Sequence, residues 1–83
     1  MNEIVLDGPL AQTRGVIGRY PEADERYVFD FDQTKPRPIH MLGVRRPLLV
    51  RWLVDGDLVA EQTLRPWIGH ARHRADTVTE ERP

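Results

Sequence analysis

The stretch Pro47–Leu64 reads PLLVRWLVDGDLVAEQTL, and it carries the clearest structural signal of the chain. Two apolar runs flank the three residues Asp55-Gly56-Asp57. An Asp-Gly turn between alternating hydrophobic residues is the strongest short-range signal for a β-hairpin. The sequence therefore predicts two antiparallel strands here, and the other elements are expected to pack around them.

Two registers are open for this hairpin. A two-residue turn on Asp55-Gly56 places Leu53 opposite Leu58, whereas a three-residue loop with Gly56 in the left-handed conformation places Val54 opposite Leu58. We expect the second register, because a slip of one residue reverses every side chain and this register sorts the apolar ones better. The apolar face would then contain Leu48, Val50, Trp52, Val54, Leu58, Ala60 and Leu64.

Outside the hairpin, short apolar segments alternate with turn signals, which is typical of a small β fold. Two prolines remove two amide donors from Lys35–Pro38, so we expect a bend there rather than a central strand. Asp7 and Pro9 favour the start of a helix. The remaining predicted elements are a strand over Glu3–Leu6, a short helix over about Pro9–Ile17, strands over Tyr27–Phe31 and Ala75–Thr79, and a frayed end over Glu80–Pro83.

These elements predict one domain over residues 1–83, mostly β. We expect a small antiparallel, incompletely closed β-barrel-like domain with one short N-terminal helix. The predicted core contains Leu6, Ile17, Phe29, Phe31, Met41, Leu48, Val50, Trp52, Val54, Leu58, Ala60 and Leu64.

Composition narrows the functional classes. The chain has no cysteine, which excludes disulfides and cysteine metal sites, and its net charge of −1 gives no global attraction to nucleic acid. The N-terminus lacks the basic region and the long apolar core of a signal peptide, and no apolar run approaches the length needed to cross a bilayer. These features predict a soluble cytoplasmic protein without a membrane partner.

Charge is unevenly distributed along the chain. Five carboxylates and one arginine occupy Glu22–Asp32, whereas Gln33–Val54 contains basic residues and no acid. In one interpretation the two segments lie side by side and neutralise each other. In the other, the basic segment forms a surface that meets an acidic partner.

Several blocks occur in order along the chain: RGVI at 14–17, VFDF at 28–31, IHM at 39–41, PLLV at 47–50, WL at 52–53, LRPW at 64–67 and ADTV at 75–78. In order and spacing they resemble the prokaryotic DUF 192 family, a domain of unknown function. The resemblance implies a compact β-barrel-like fold with a short helix near the N-terminus, and it implies no reaction.

The chain departs from the family pattern in two ways. Leu49 stands where family members usually carry an aspartate, so a polar site built on that aspartate is expected to be absent. The chain is also short for the family at both ends. A barrel without a terminal strand leaves an open edge, and an open edge is a pairing site.

Histidines are the first candidates for chemistry. His40 with Arg45 or Arg46 could bind a small ligand or act as a general base, but no acid or nucleophile within reach is identifiable, so we predict no catalytic residue and no cofactor. His70 and His73 would face one metal ion only if this segment were helical. A third and a fourth ligand would have to come from His40 or a carboxylate. Because the chain has no cysteine and two flanking arginines raise the local potential, we predict no metal site.

Nucleic-acid binding is a further alternative for the basic segment Arg65–Arg74. Trp67 could stack on a base while the arginines meet phosphates. Because it is the only aromatic residue of the segment, we favour instead a Trp67 that plugs the end of the barrel.

Binding to protein is the function we expect. Leu49, Leu53 and Val59 lie on the second face of the hairpin, where a monomer would prefer polar residues, and Arg37, Arg45 and Arg46 are the expected rim contacts. The sequence thus predicts a non-enzymatic structural or adaptor module. We expect it to self-associate or to dock on a larger assembly, for example as a minor subunit of a virus particle.

Overall fold

The sheet of this protein is built from segments in which apolar residues alternate with polar ones. The structure is a computed structural model that describes residues 2–7 and 20–83. Its five strands are β1 (Asn2–Asp7), β2 (Glu25–His40), β3 (Leu48–Val54), β4 (Asp57–Leu64) and β5 (His70–Glu81). They form one sheet with the order β1-β2-β5-β3-β4, and the prediction of a mostly β fold is confirmed.

The described residues leave the sheet open, with β1 and β4 as its outermost strands. Pairing is antiparallel except between β1 and β2, which run parallel with Ile4 opposite Tyr27. The predicted antiparallel arrangement therefore holds for three of the four strand pairs and is wrong at this one. A parallel pair needs a connection of about a dozen residues or more, and residues 8–24 provide it.

The helix predicted over Pro9–Ile17 lies outside the described residues, as do the side chains of the predicted core residues Leu6 and Ile17. Within residues 2–7 and 20–83 no helix occurs.

The β3–β4 hairpin combines the two registers. At its tip Leu53 lies opposite Leu58, and Asp55 and Gly56 have φ angles of 51° and 83°. Positive φ at both central residues is typical of a type I′ turn, so the three-residue loop is wrong at the tip. A bulge at Val59 then restores the expected register, because Trp52 lies opposite Ala60.

Strand β2 continues through Lys35–Pro38, so the predicted bend is wrong. The geometry of the ladder explains why prolines are tolerated there. The Met41 amide donates to the Gly69 carbonyl at 3.0 Å, so amides at odd positions of this segment point toward β5. Pro36 and Pro38 occupy even positions, where the missing N–H groups would point away from β5.

Strand β5 is longer and more central than predicted. It lies between β2 and β3, and it continues through Glu81, whose predicted position was in a frayed end. Glu80 is fully buried and Glu81 is 6% exposed. Beyond the strand, Arg82 Nε donates to the Pro21 carbonyl at 2.8 Å. The predicted frayed end is therefore wrong at Glu80 and Glu81, because β2 and β3 flank both residues.

One face of the sheet buries the core. Of the predicted core positions, Phe31 and Ala60 are partly buried and packed against it, Val54 is half-buried, and Leu58 is 54% exposed because the hairpin tip turns it to the other face. The buried apolar residues are Tyr27, Phe29, Met41, Leu48, Val50, Trp52, Leu64, Ala75 and Val78.

The opposite face carries a row of alternating charges, which we call the charge ladder: Glu3, Arg26, Glu81, Arg51 and Glu61, one from each of the five strands. Arg26 lies 3.4 Å from Glu3 and 3.3 Å from Glu81, and Arg51 bonds both Glu81 and Glu61. Hydrogen bonding to Glu61, and then to Glu81, raises the pKa of Arg51. Each interior charge of the ladder therefore meets an opposite charge on both sides.

Candidate functional site

Two turns meet at one end of the sheet, where β2 leads toward β3 and β4 leads toward β5. They are tied by backbone hydrogen bonds, from the Met41 amide to the Gly69 carbonyl and from the Trp67 amide to the Val44 carbonyl, each 3.0 Å long. At Gly69 a Cβ atom would lie 2.6 Å from the backbone of Arg65. The tight turn thus requires glycine at this position.

Three large apolar side chains project from these turns into solvent. Leu42 is 74% exposed, Ile68 is 70% exposed and Trp67 is 51% exposed. We call these three residues the loop-end patch. Single exposed apolar residues are ordinary on protein surfaces, but several on adjoining turns mark a surface that can bind a partner.

The backbone at Trp67 is unusual. Its φ angle is 66°, in the left-handed region that non-glycine residues seldom adopt. Such a conformation costs about 1–3 kcal/mol and persists where its surroundings impose it. The strained turn leaves the indole half in solvent, so the predicted role of Trp67 as a buried plug is wrong.

Basic residues adjoin the loop-end patch in the sequence. Arg45 and Arg46 follow the first turn, Arg65 begins the second, and all three are exposed. Among the described residues none of them forms an ion pair. The acidic segment Glu22–Asp32 does not neutralise them either, since its described ion pairs join Glu22 to Arg82 and Arg26 to two acids of the charge ladder.

Arg37, predicted as a rim contact, uses its donors within the fold. Its Nε donates to the Ala75 carbonyl at 3.2 Å, and a terminal nitrogen donates to the Gln33 carbonyl at 2.6 Å. The guanidinium carbon lies 3.8 Å from the centre of the Phe31 ring, and burial lowers the pKa of Arg37. These contacts give Arg37 a role in fixing β2 beside the segment between Asp30 and Lys35, where its register with β5 shifts.

The constellation of His40 with Arg45 or Arg46 is not assembled by any hydrogen bond between described residues. His40 ends β2 with an exposed side chain, opposite His70. Arg46 instead lies 5.7 Å from the ring centre of Tyr20. The neighbour that the strand register gives His40 is thus His70, not Arg45 or Arg46.

The second face of the hairpin is less exposed than its sequence suggests. Leu49 and Leu53 are half-buried, and only Val59 and Leu58 are mostly accessible, at 52% and 54%. Leu49 lies opposite Glu81 of β5, beside the charge ladder. Of the apolar contact residues predicted there, the two on β3 are therefore half-buried and the one on β4 is exposed.

Leu42 and Ile68 were missed as candidate site residues. Each is a large apolar residue immediately before a glycine, in a segment that the sequence marks as a turn. Because turns lie on the surface, an apolar residue at such a position is a signal of exposure that could have identified both.

His70 and His73 do not lie on one face of a helix, the arrangement in which their spacing would let both bind one metal ion. His70 and His73 lie on strand β5, at an odd separation that points their side chains to opposite faces. Within residues 2–7 and 20–83 no group of three or more histidine and acidic side chains could hold a metal ion. The described part of the chain also contains no helix long and apolar enough to span a bilayer.

Comparison of the chain with protein-family models, with curated proteins and with solved structures finds no match in any of the three. The resemblance to the DUF 192 family stays a prediction.

Proposed function

We propose that this protein is a non-enzymatic interaction module that docks on another protein through the loop-end patch. The observation that carries the proposal is the exposure of Leu42, Trp67 and Ile68 on two turns tied by backbone hydrogen bonds. A rigid aromatic anchor with aliphatic neighbours is the usual centre of a protein interface.

The surrounding charges indicate the chemistry of the partner. Arg45, Arg46 and Arg65 are exposed and form no ion pair with a described carboxylate. A complementary surface would present an apolar pocket for Trp67 within an acidic rim. Charges at such a rim mainly accelerate association and set specificity, so binding should weaken with added salt.

Self-association is one form of this proposal, and docking on a larger assembly is the other. Strand β4 supports the first, because it is an edge of the described sheet and exposes Leu58 and Val59. An open edge with apolar side chains can pair with a strand of a second chain. The cytoplasmic or virus-particle setting stays a prediction.

We also propose that the sheet is curved into a partly closed barrel. It is supported by the burial of a core on one face of a single sheet, in a molecule whose Cα atoms extend over 29 × 23 × 22 Å along the principal axes. A sheet that covers its own core must curve strongly.

The test compares wild type with a Trp67→Ser/Ile68→Ser variant and with Val5→Ser as a matched control, since Val5 is 56% exposed on the distant strand β1. Sedimentation at several concentrations measures self-association, and affinity capture from the source followed by mass spectrometry measures partner binding. We expect the patch variant to lose the complex and the control to keep it. A monomeric wild type with the same captured proteins as the patch variant would contradict the proposal.

A second candidate, binding of single-stranded nucleic acid by Arg65–Arg74, is favoured by one observation. Trp67 is half exposed, and Arg65, Arg72 and Arg74 are exposed as well. Fluorescence anisotropy with a labelled oligonucleotide at about 0.1 M salt separates the two candidates. Saturable binding that is lost in Trp67→Ser favours nucleic acid, and its absence leaves protein docking.

A further inference from the structure

The exposed end of the β2–β5 ladder brings two histidines together across the strands. His40 and His70 are the last pair in the register, and both side chains are exposed. They lie 30 positions apart in the sequence. Their position on paired strands, rather than their spacing, is what makes them neighbours.

The hydrogen bonding of the adjacent pair defines how close they are. Met41 donates its amide to the Gly69 carbonyl at 3.0 Å, so this is a hydrogen-bonded position of the antiparallel ladder. Alternation makes His40–His70 a non-hydrogen-bonded pair, in which side chains approach most closely. Cβ atoms at such a pair are about 4.5–5.5 Å apart and point to the same face.

That spacing suits chelation by two imidazoles. Zinc binds imidazole nitrogen at about 2.0–2.1 Å, so two rings on one ion must bring their nitrogens within about 4 Å. Adjacent side chains on the same face of two paired strands can converge to that distance by rotation about their side-chain bonds. The sheet fixes the two backbones, so little conformational freedom has to be lost when the ion binds.

The surroundings restrict the ion that could bind. Within the described residues no third histidine or acidic side chain joins the pair, so water or an external ligand would complete the coordination. Nitrogen ligands favour zinc, copper and nickel, whereas calcium and magnesium prefer oxygen. Arg72, two residues from His70 on the same exposed face, makes the site less favourable for a cation and predicts moderate affinity.

We propose that His40 and His70 form a two-histidine site for a divalent transition metal ion of the zinc, copper and nickel group. Four-coordinate zinc would be completed by two waters, or by the same pair from a second copy. The second case rests on the self-association form of the proposed function, and the first is independent of it.

The chain offers a matched control in its third histidine. His73 lies on the opposite face of β5, where its ring packs edge-on against Trp52 with centroids 4.7 Å apart. Its Nε2 atom lies 3.1 Å from Gln62 Oε1. A variant at His73 therefore removes one imidazole while leaving the proposed site intact.

The experiment titrates the full chain with Zn²⁺ and with Ni²⁺ by calorimetry, and follows thermal unfolding with and without metal. Wild type should bind saturably and melt at a higher temperature with metal, an effect reversed by a chelator. His40→Ala and His70→Ala should each weaken binding by about tenfold or more, which corresponds to the loss of one of two ligands. His73→Gln should bind as wild type does.

The number of ions bound per chain and the binding of the variants decide whether the proposal holds. One ion per chain or one ion per two chains supports the site, and the second ratio also requires dimers in sedimentation with metal. Retained binding in the His40→Ala/His70→Ala double variant would overturn the proposal, as would equal loss in His73→Gln. Protein docking at the loop-end patch is measured without metal, so the failure of one proposal leaves the other intact.

Discussion

The two tryptophans of this chain have opposite environments. Trp52 is fully buried, and its indole N–H donates to the Arg37 carbonyl at 2.9 Å. Trp67 is 51% exposed on a strained turn. Trp52 thus joins β3 to β2 across the core, whereas Trp67 presents its ring to solvent. The same residue type serves stability at one position and is available for binding at the other.

This contrast predicts the effects of two alanine substitutions. Trp52→Ala should lower the free energy of unfolding by about 3–5 kcal/mol, because it leaves a cavity and removes a buried hydrogen bond. Trp67→Ala should change it by less than about 1 kcal/mol. Urea denaturation followed by circular dichroism measures both. Equal losses in the two variants would contradict the assigned environments.

Several residues of the core could be predicted from alternation alone, including Phe29, Val50 and Trp52. Val78 and Tyr27 were missed because the segments around them carry several polar residues. Of the three residues of the loop-end patch, only Trp67 was predicted as a binding residue. Leu42 and Ile68 were missed because alternation identifies apolar residues that face a core and does not identify apolar residues that a turn exposes.

At the scale of strands, the charge ladder explains how β5, a strand with many polar residues, can lie in the middle of the sheet. Glu81 lies between Arg26 and Arg51, and its side chain is 8% exposed. A charge so far from water is tolerated when it is paired on both sides. Sequence reasoning assigned these residues to a frayed end because the cations that neutralise Glu81 lie far away in the chain.

Glu81→Ala should therefore destabilise the sheet. We expect a loss of about 1.5–3 kcal/mol, since both arginines lose a charged partner that is nearly buried and keep only an exposed one. Glu22→Ala is the control, because Glu22 pairs with Arg82 at the surface, and its effect should be within about 0.5 kcal/mol. Thermal and urea unfolding measure the difference. A Glu22 variant as unstable as the Glu81 variant would refute the role of the ladder.

The hairpin shows a competition between two local preferences. Burial of Leu58 favours a three-residue loop, whereas Asp55-Gly56 favours a type I′ turn. The turn prevails at the tip, and the bulge at Val59 recovers the core register by Trp52. The existence of the hairpin could be predicted from sequence, but the bulge could not, since it results from this compromise.

At the scale of the molecule, strand order differs from chain order. β5 is the last described strand, yet it joins the β1–β2 pair to the β3–β4 pair. Fragments divided at Gly69 should therefore be unfolded separately and form the sheet when mixed. Circular dichroism of residues 1–69 and 70–83, alone and together, measures this. A folded 1–69 fragment would show that the two pairs unite without β5.

The central position of β5 also gives the cell a means to recognise incomplete copies of this protein. A chain interrupted before His70 holds two strand pairs with uncovered edges and apolar faces, including those of Trp52 and Phe29. Such surfaces attract chaperones and proteases. Premature termination or cleavage ahead of β5 should thus yield a product that is removed, whereas a chain that includes β5 has these edges and faces covered.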